Sequence, residues 1–133
     1  MNVTSLQKVS LAEGIQEIGK KAFYNCISLG KEMKAGNEEV APLSLPSTLV
    51  TINDYAFYNA SSLMELSFGS IINLAHIGDY AFGNSALYSM YIPQSIRTIG
   101  EGAFINNTYM QSLQFQDSFV QTDSNGNVIK IRR

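Results

Sequence analysis

Few side chains in this sequence are of a type that does chemistry. Cys26 is the single cysteine and His76 the single histidine. A cysteine becomes a nucleophile when a nearby base or cation holds it as thiolate, and a histidine can act as general base or metal ligand. Neither has partners at metal-ligand spacing. Asp123, Asn125 and Asn127 alternate like the opening of a calcium loop, but the glutamate that closes such a loop is absent. Asn2-Val3-Thr4, Asn59-Ala60-Ser61 and Asn106-Asn107-Thr108 match the N-glycosylation pattern, which operates only in a eukaryotic secretory route. One cysteine excludes an internal disulfide. No enzyme constellation and no cofactor site is expected from these residues.

The elements that hold these residues are a repeat. Ile18-Gly19-Lys20-Lys21-Ala22-Phe23 returns as Ile52-Asn53-Asp54-Tyr55-Ala56-Phe57, as Ile77-Gly78-Asp79-Tyr80-Ala81-Phe82 and as Ile99-Gly100-Glu101-Gly102-Ala103-Phe104. Self-similarity at this period is the mark of stacked repeats, none of which can bury its apolar face alone. Alignment absorbs the chemical candidates. Cys26 shares a column with Ala60, Ser85 and Asn107, a small interior position, so packing outweighs nucleophilicity. His76 aligns with Glu17, Thr51 and Thr98, an outward position. Asn59 and Asn106 belong to a column with Asn25 and Asn84, always two residues after the phenylalanine, where an amide can bond the backbone at one corner of every coil.

Outside this block the apolar positions alternate: Leu6-x-x-Val9-x-Leu11, Leu43-x-Leu45, Leu63-x-x-Leu66-x-Phe68, Leu87-x-x-Met90-x-Ile92 and Met110-x-x-Leu113-x-Phe115. Such alternation predicts half-buried strands, and Pro46 and Pro93 terminate two of them. Gly19, Asn53, Gly78 and Gly100 suit a turn with positive φ. Asp54, Asp79 and Glu101 follow them, as carboxylates facing the start of short helical turns, and Lys20 departs from that column.

The repeat is broken twice. Residues 30–41 are an insertion carrying Lys31, Glu32, Lys34, Glu38 and Glu39, expected as a solvated loop with room for a helical turn. A shorter insertion lies in Gly69-Ser70-Ile71-Ile72-Asn73. After Phe115, Asn125-Gly126 between two alternating runs predicts a hairpin that caps the last coil. The five residues before Leu6 make a poor cap. That bare end is expected to continue a longer array or to pair end to end with another molecule.

The expected organisation is one domain over residues 1–133. Its coils lie at about 6–29, 40–63, 63–87 and 87–110, with a last strand at 110–115 and a cap at 116–133. Composition agrees: 45% of the 133 residues are hydrophobic and 15% charged, enough apolar material for a core and too little charge for disorder. There is no apolar run long enough to span a membrane, and residues 1–5 do not read as a signal peptide. The net charge of -2 hides an asymmetry, because three of the nine basic residues are Lys130, Arg132 and Arg133. The remaining acidic body repels phosphate backbones, so no nucleic-acid partner is expected.

These columns resemble the leucine-rich repeats of the BspA-like, treponemal type. That pattern reads L-x-x-[IVL]-x-[LI]-P-x-x-[LIV]-x-x-I-G-x-x-A-F-x-x-C-x-x-L. Leu43-Ser44-Leu45-Pro46 through Ala56-Phe57-Tyr58-Asn59-Ala60-Ser61-Ser62-Leu63 and Ile92-Pro93 through Ala103-Phe104 carry the match, and Cys26 fills the family's cysteine column. The resemblance implies an α/β, β-rich fold: a right-handed leucine-rich-repeat solenoid with a parallel sheet on one face and short helical turns on the other side. It also implies a protein-binding role, adhesive and at the cell surface or secreted. A structural spacer within a longer array is the alternative.

Function then falls to positions that differ between coils. The outward strand column, Lys8, Ser10, Ser44, Glu65, Ser67, Ser89, Tyr91, Ser112 and Gln114, is the expected protein-binding face. It is small and polar, with Tyr91 as an interface anchor near its centre. Tyr24, Tyr55, Tyr58 and Tyr80 gather near the Ala-Phe corners, partly buried between coils or as a second aromatic surface.

Overall fold

The structure, a computed structural model, describes residues 4–40, 42–68, 73–108, 110, 112–115, 119–122 and 128–132. Among them are twelve short strands: β1 Glu17–Ile18, β2 Lys31–Lys34, β3 Asn37–Val40, β4 Leu43–Leu45, β5 Thr51–Ile52, β6 Leu66–Phe68, β7 His76–Ile77, β8 Ser89–Ile92, β9 Thr98–Ile99, β10 Ser112–Phe115, β11 Phe119–Thr122 and β12 Val128–Arg132. Equivalent strands of successive repeats pair in parallel. The two-residue strands form one sheet in the order β1-β5-β7-β9, with Ile18, Ile52, Ile77 and Ile99 in register. Ile18, Ile52 and Ile77 are buried and Ile99 packs half-buried on the core, while Glu17, His76 and Thr98 before them stay exposed.

The Ala-Phe block fixes this register through its backbone. Tyr55, Phe57 and Asn59 donate their N–H groups to Asp79, Ala81 and Gly83 of the next repeat at 2.9, 2.7 and 2.8 Å. Lys21, Phe23 and Asn25 do the same to Asp54, Ala56 and Tyr58, and Tyr80, Phe82 and Asn84 to Glu101, Ala103 and Ile105. The N–H groups between them turn back within their own repeat, as Ala56 to Asn53 and Tyr58 to Tyr55. Alternate N–H groups therefore leave the chain sideways.

That alternation corrects two expectations. There is no helix among the described residues. A helix needs consecutive N–H groups directed along its axis, and here every second one is spent on a neighbour. Positive φ also falls elsewhere than expected. It occurs at Lys21, Tyr55, Tyr80 and Gly102, two residues beyond the expected column, and at Asn25, Asn59, Asn84 and Asn106. Asparagine is among the side chains that best tolerate the left-handed region.

The phenylalanines form a column through the core. Centroids of Phe23, Phe57, Phe82 and Phe104 are 5.2, 5.2 and 5.7 Å apart in succession, with planes within 11° of parallel. That spacing is close to the separation of paired strands, so one ring per repeat fills one layer. Leu49, Leu63, Leu74, Leu87 and Ile96 surround the column, each at most 1% exposed, and Cys26 is fully buried among them.

The strand face is not one sheet. β4 pairs with β6 and β8 with β10, both in parallel, as separate two-stranded ladders. The gap between them is bridged by the Tyr88 N–H to the Met64 carbonyl at 3.4 Å and by the Tyr88 hydroxyl donating to the Glu65 carboxylate. The first alternating run, 6–11, is not a strand, although Leu6, Val9 and Leu11 pack on the core. The Gln7 carbonyl, equivalent to that of Met64, accepts the Gly30 N–H at 3.0 Å, the counterpart of the Tyr88 bond to Met64.

The insertion is a hairpin rather than a loop. β2 and β3 pair antiparallel from Lys31↔Val40 to Lys34↔Asn37. Ala35 and Gly36 close it with φ of 50° and 79°, the two positive values a type I′ turn requires. After the last repeat β11 and β12 pair antiparallel, Phe119↔Arg132 through Thr122↔Val128. The residues expected at that turn, Asp123 to Asn127, lie outside the described residues, as does Asn2.

Phe57 lies between two stacked rings and is fully buried. Phe57→Ala is expected to cost about 3–5 kcal/mol; a denaturation midpoint equal to wild type would refute the ring column as the core. Glu13 joins the first two repeats, accepting the Ser47 N–H at 2.9 Å and its hydroxyl at 2.7 Å. These bonds, the backbone N–H foremost, hold its carboxyl below the ordinary range. A carboxylate whose pKa is lowered on folding stabilises above its unfolded pKa, and that contribution fades as pH falls through the folded value. Urea titrations at several pH values should therefore show a shallower acid loss in Glu13→Gln; an identical slope would remove Glu13 from the linkage.

Candidate protein-binding surface

Part of the expected strand column lies exposed on paired strands. Leu43 and Leu45 turn inward and leave Ser44 exposed between them. Ser67 is exposed beside it, in register across β4 and β6. On the other ladder Ser89 faces Ser112 in register and Tyr91 faces Gln114. The column thus falls into two in-register groups separated by the gap between β6 and β8.

Three expected positions change character. Lys8 and Ser10 are exposed but lie on the irregular first segment, which is not a strand. Glu65 precedes β6, is half-buried, and gives its carboxylate to the Tyr88 hydroxyl. That hydrogen bond is the main reason the Tyr88 phenol is pushed above its ordinary pKa. Glu65 thus closes the seam between the ladders.

A cleft that the sequence did not disclose opens beside this face. It encloses about 400 Å³ between the foot of the inserted hairpin, at Lys31, Glu39 and Val40, and the junction of the second and third coils at Ser61, Ser62 and Met64. Gly30 makes the approach possible: its φ is +106°, and a Cβ there would lie 2.4 Å from the Ser62 carbonyl oxygen. Val40 is 46% exposed at the rim. Ala35-Gly36 between two charged runs was the available signal for this hairpin.

The carboxylate column has a role that spacing alone did not reveal. Asp54 Oδ1 accepts the Asp79 N–H at 2.8 Å, and Asp79 Oδ1 accepts the Glu101 N–H at 2.9 Å. Each carboxylate lies where the next repeat's glycine would carry a side chain, since a Cβ on Gly78 or Gly100 would come within 2.5 Å of it. Lys20 offers no carboxylate, and the following repeat compensates: Asn53 Oδ1 accepts the Asp54 N–H at 2.8 Å. Asparagine replaces glycine in the one repeat whose described predecessor lacks the acid.

The asparagine corner bonds between side chains rather than to backbone. Asn59 donates to Asn25 at 3.0 Å and Asn106 to Asn84 at 2.8 Å, whereas Asn84 donates to the Tyr58 hydroxyl at 2.8 Å. In the cysteine column Ser85 donates to the Phe57 carbonyl and the buried Asn107 to the Phe82 carbonyl, each in the preceding repeat. The tyrosines are half-buried, with Tyr24 stacked on Tyr58 and Tyr55 on Tyr80. Desolvation in that stack, then the neighbouring Tyr80, pushes the Tyr55 phenol up. The ammonium of Lys21 lies 5.5 Å from the Tyr24 ring centre.

Cys26 lies in the interior as its column implied. His76 is exposed, with Nδ1 2.7 Å from Thr98 Oγ1, in a shallow groove of about 330 Å³ along β5, β7 and β9. Among the described residues no three His, Cys, Asp or Glu side chains stand together as a metal site would need. Among them, too, no helix is long and apolar enough to cross a membrane.

The BspA type leucine rich repeat region matches residues 1–40 and 34–126, in six copies. The chain belongs to this family. No curated protein matches it. Three solved structures share its fold. A leucine-rich repeat protein from Bacteroides ovatus ATCC 8483 has a TM-score of 0.68 at 22% identity over 84% of the chain. Another from Eubacterium ventriosum ATCC 27560 gives 0.58 at 18% over 90%. A leucine rich cell surface protein from Faecalibacterium prausnitzii A2-165 gives 0.60 at 20% over 96%. The chain spans 26%, 35% and 39% of these proteins, respectively.

The glycines of this BspA-type repeat make separable predictions. Gly78→Ala drives a Cβ into the Asp54 carboxylate and backbone and should cost about 1–3 kcal/mol. Gly19→Ala meets nothing within 4 Å and should stay within about 0.5 kcal/mol of wild type. Equal losses in chemical denaturation would contradict the carboxylate account of this column.

Proposed function

We propose that this chain is a non-enzymatic protein-binding module whose repeats wind as a right-handed solenoid, with the β11–β12 hairpin as its cap. The observation that carries the reading is the exposed, in-register pair Ser44 and Ser67 on parallel strands of a leucine-rich repeat. Repeats of this kind typically mediate protein contacts. A flat row of small hydroxyls admits close approach by a partner backbone, and the cleft beside the inserted hairpin adds a recess of mixed polar and apolar lining at its side. Ser89, Tyr91, Ser112 and Gln114 extend the row, with Tyr91 as anchor, while Lys8 and Ser10 form its outlying part.

The same reading places the parent protein at the cell surface or in secretion, in adhesion to a host or to other cells. One protein of the same fold, from Faecalibacterium prausnitzii, is named a cell surface protein, which supports that location. The alternative, a spacer within a longer array, draws support from the fraction of the related structures that the chain spans. In that case the open ends of the stack matter more than its faces, and end-to-end contacts follow.

Binding to immobilised matrix proteins tests the face. Ser44→Arg and Ser67→Arg should each lower affinity at least about tenfold by obstructing the row, and Tyr91→Ala should do so by removing an anchor. Retained binding in all three variants would exclude the strand face and favour the spacer.

A further inference from the structure

We propose that the inserted hairpin is a dimerisation element: its β2 strand pairs antiparallel with β2 of a second copy of this chain, about a two-fold axis at Met33. This surface is separate from the strand face and independent of it. The hairpin stands apart from the parallel ladders of the repeats. β2 and β3 form a sheet of their own, and no other described strand pairs with either. Two strands alone are marginal in water. The register adds a penalty, because Glu32 lies directly opposite Glu39, and like charges so placed repel. The basic residues of the hairpin, Lys31 and Lys34, lie opposite Val40 and Asn37 instead.

The turn decides which backbone groups β2 offers. Lys34 and Asn37 flank the two-residue turn at Ala35-Gly36, so they exchange both of their backbone bonds. The pattern then alternates down the ladder. Glu32 exchanges bonds with Glu39, whereas Lys31 and Met33 turn their N–H and C=O groups to the outer edge. The Lys31 N–H is taken up by the Ser28 carbonyl at 3.3 Å. The edge that β2 presents therefore centres on Met33.

That parity leaves few registers for self-pairing, and charge selects among them. When identical strands pair antiparallel, outward residues must meet outward residues. Met33 opposite Met33 of the other copy satisfies this, with two reciprocal N–H to C=O bonds across the axis. It sets Glu32 opposite Lys34 of the other copy, and symmetry makes the pair twice. These are the closely spaced positions of the ladder, where opposite charges attract most. Positions directly opposite share a face of the sheet, so the Lys34 of the other copy also adds a cation beside the Glu32–Glu39 pair. A shift of two residues either way sets Glu32 opposite Glu32, or Lys34 opposite Lys34. The β3 edge fails by the same rule. Centred on Glu38 it sets two glutamates on the axis, and one step on it sets Glu39 opposite Glu39. Centred on Val40 it brings Pro42, which has no N–H, opposite Glu38.

Such a contact is isologous and closes at two copies. With four residues a side it buries less than the roughly 1,200 Å² of a stable interface, so it is weak and concentration-dependent. The test is sedimentation of the 133-residue chain over a concentration series. A monomer–dimer equilibrium should appear that stops at two copies. Met33→Pro removes the N–H on the axis, at an outward edge position where a hairpin tolerates proline. It should abolish the dimer and leave the circular dichroism of the monomer unchanged. Lys34→Glu sets like charges opposite each other and should weaken the dimer at least about tenfold; adding Glu32→Lys exchanges the pair and should recover most of that loss. Met33→Cys should form a disulfide between copies under mild oxidation, because residues exchanging both bonds lie about 5.5 Å apart, within disulfide range. Asn37→Cys, on the strand away from the axis, should not. A monomer at every concentration, a dimer indifferent to Met33→Pro, or equal cross-linking through Asn37→Cys would overturn the proposal.

Discussion

Everything in this protein depends on alternate N–H groups of the Ala-Phe corner leaving the chain sideways. A main chain that spends every second donor on a neighbour cannot close a helix, and it fixes that neighbour's register to the residue. The ring column, the isoleucine sheet and the carboxylate column all follow from that register. A phenylalanine at the wrong height would stack on nothing. A carboxylate one residue out of step would miss the N–H it accepts. The repeat is thus held by backbone geometry first and by apolar burial second, although burial supplies most of the favourable free energy.

This ordering explains what could be read from the sequence. Burial leaves a periodic trace, so the interior positions of Phe57, Leu63 and Cys26 and the outward ones of Ser44 and His76 were visible in the alignment. The proline stops after β4 and β8 were visible for the same local reason. Lateral bonds between repeats leave no such trace. The helical turns were expected because a carboxylate after glycine looks like a helix start, yet the same carboxylate serves an N–H in the following repeat. The irregular path of residues 6–11 was equally hidden, since their alternation is intact and Leu6, Val9 and Leu11 still pack on the core. The inserted hairpin was legible in Ala35-Gly36 but was masked by the charge of its strands.

The candidate face shows the same division. Which residues point outward is a matter of period and was accessible. Whether they are available is a matter of partners and was not. Ser44 and Ser67 are available, whereas Glu65 is committed to Tyr88 across the gap between two ladders. The cleft under the inserted hairpin has no counterpart in any column, because it lies between an insertion and a repeat that are far apart in sequence.

The pairing of acid with glycine carries a consequence for how such a chain can change. The repeats beginning Ile77-Gly78 and Ile99-Gly100 present an N–H that is met by an acid from the unit before, whereas the one beginning Ile52-Asn53 brings its own acceptor. The units are therefore not interchangeable under recombination. Unequal crossing-over can place the Ile52 unit only after a predecessor without the acid, whose carboxylate would otherwise occupy the space of the Asn53 side chain, and it fits the Ile77 or Ile99 unit after an acidic one. Repeat order is constrained by a two-letter grammar, and a shuffled array that broke it would meet a fold that resists assembly, however well its apolar residues matched.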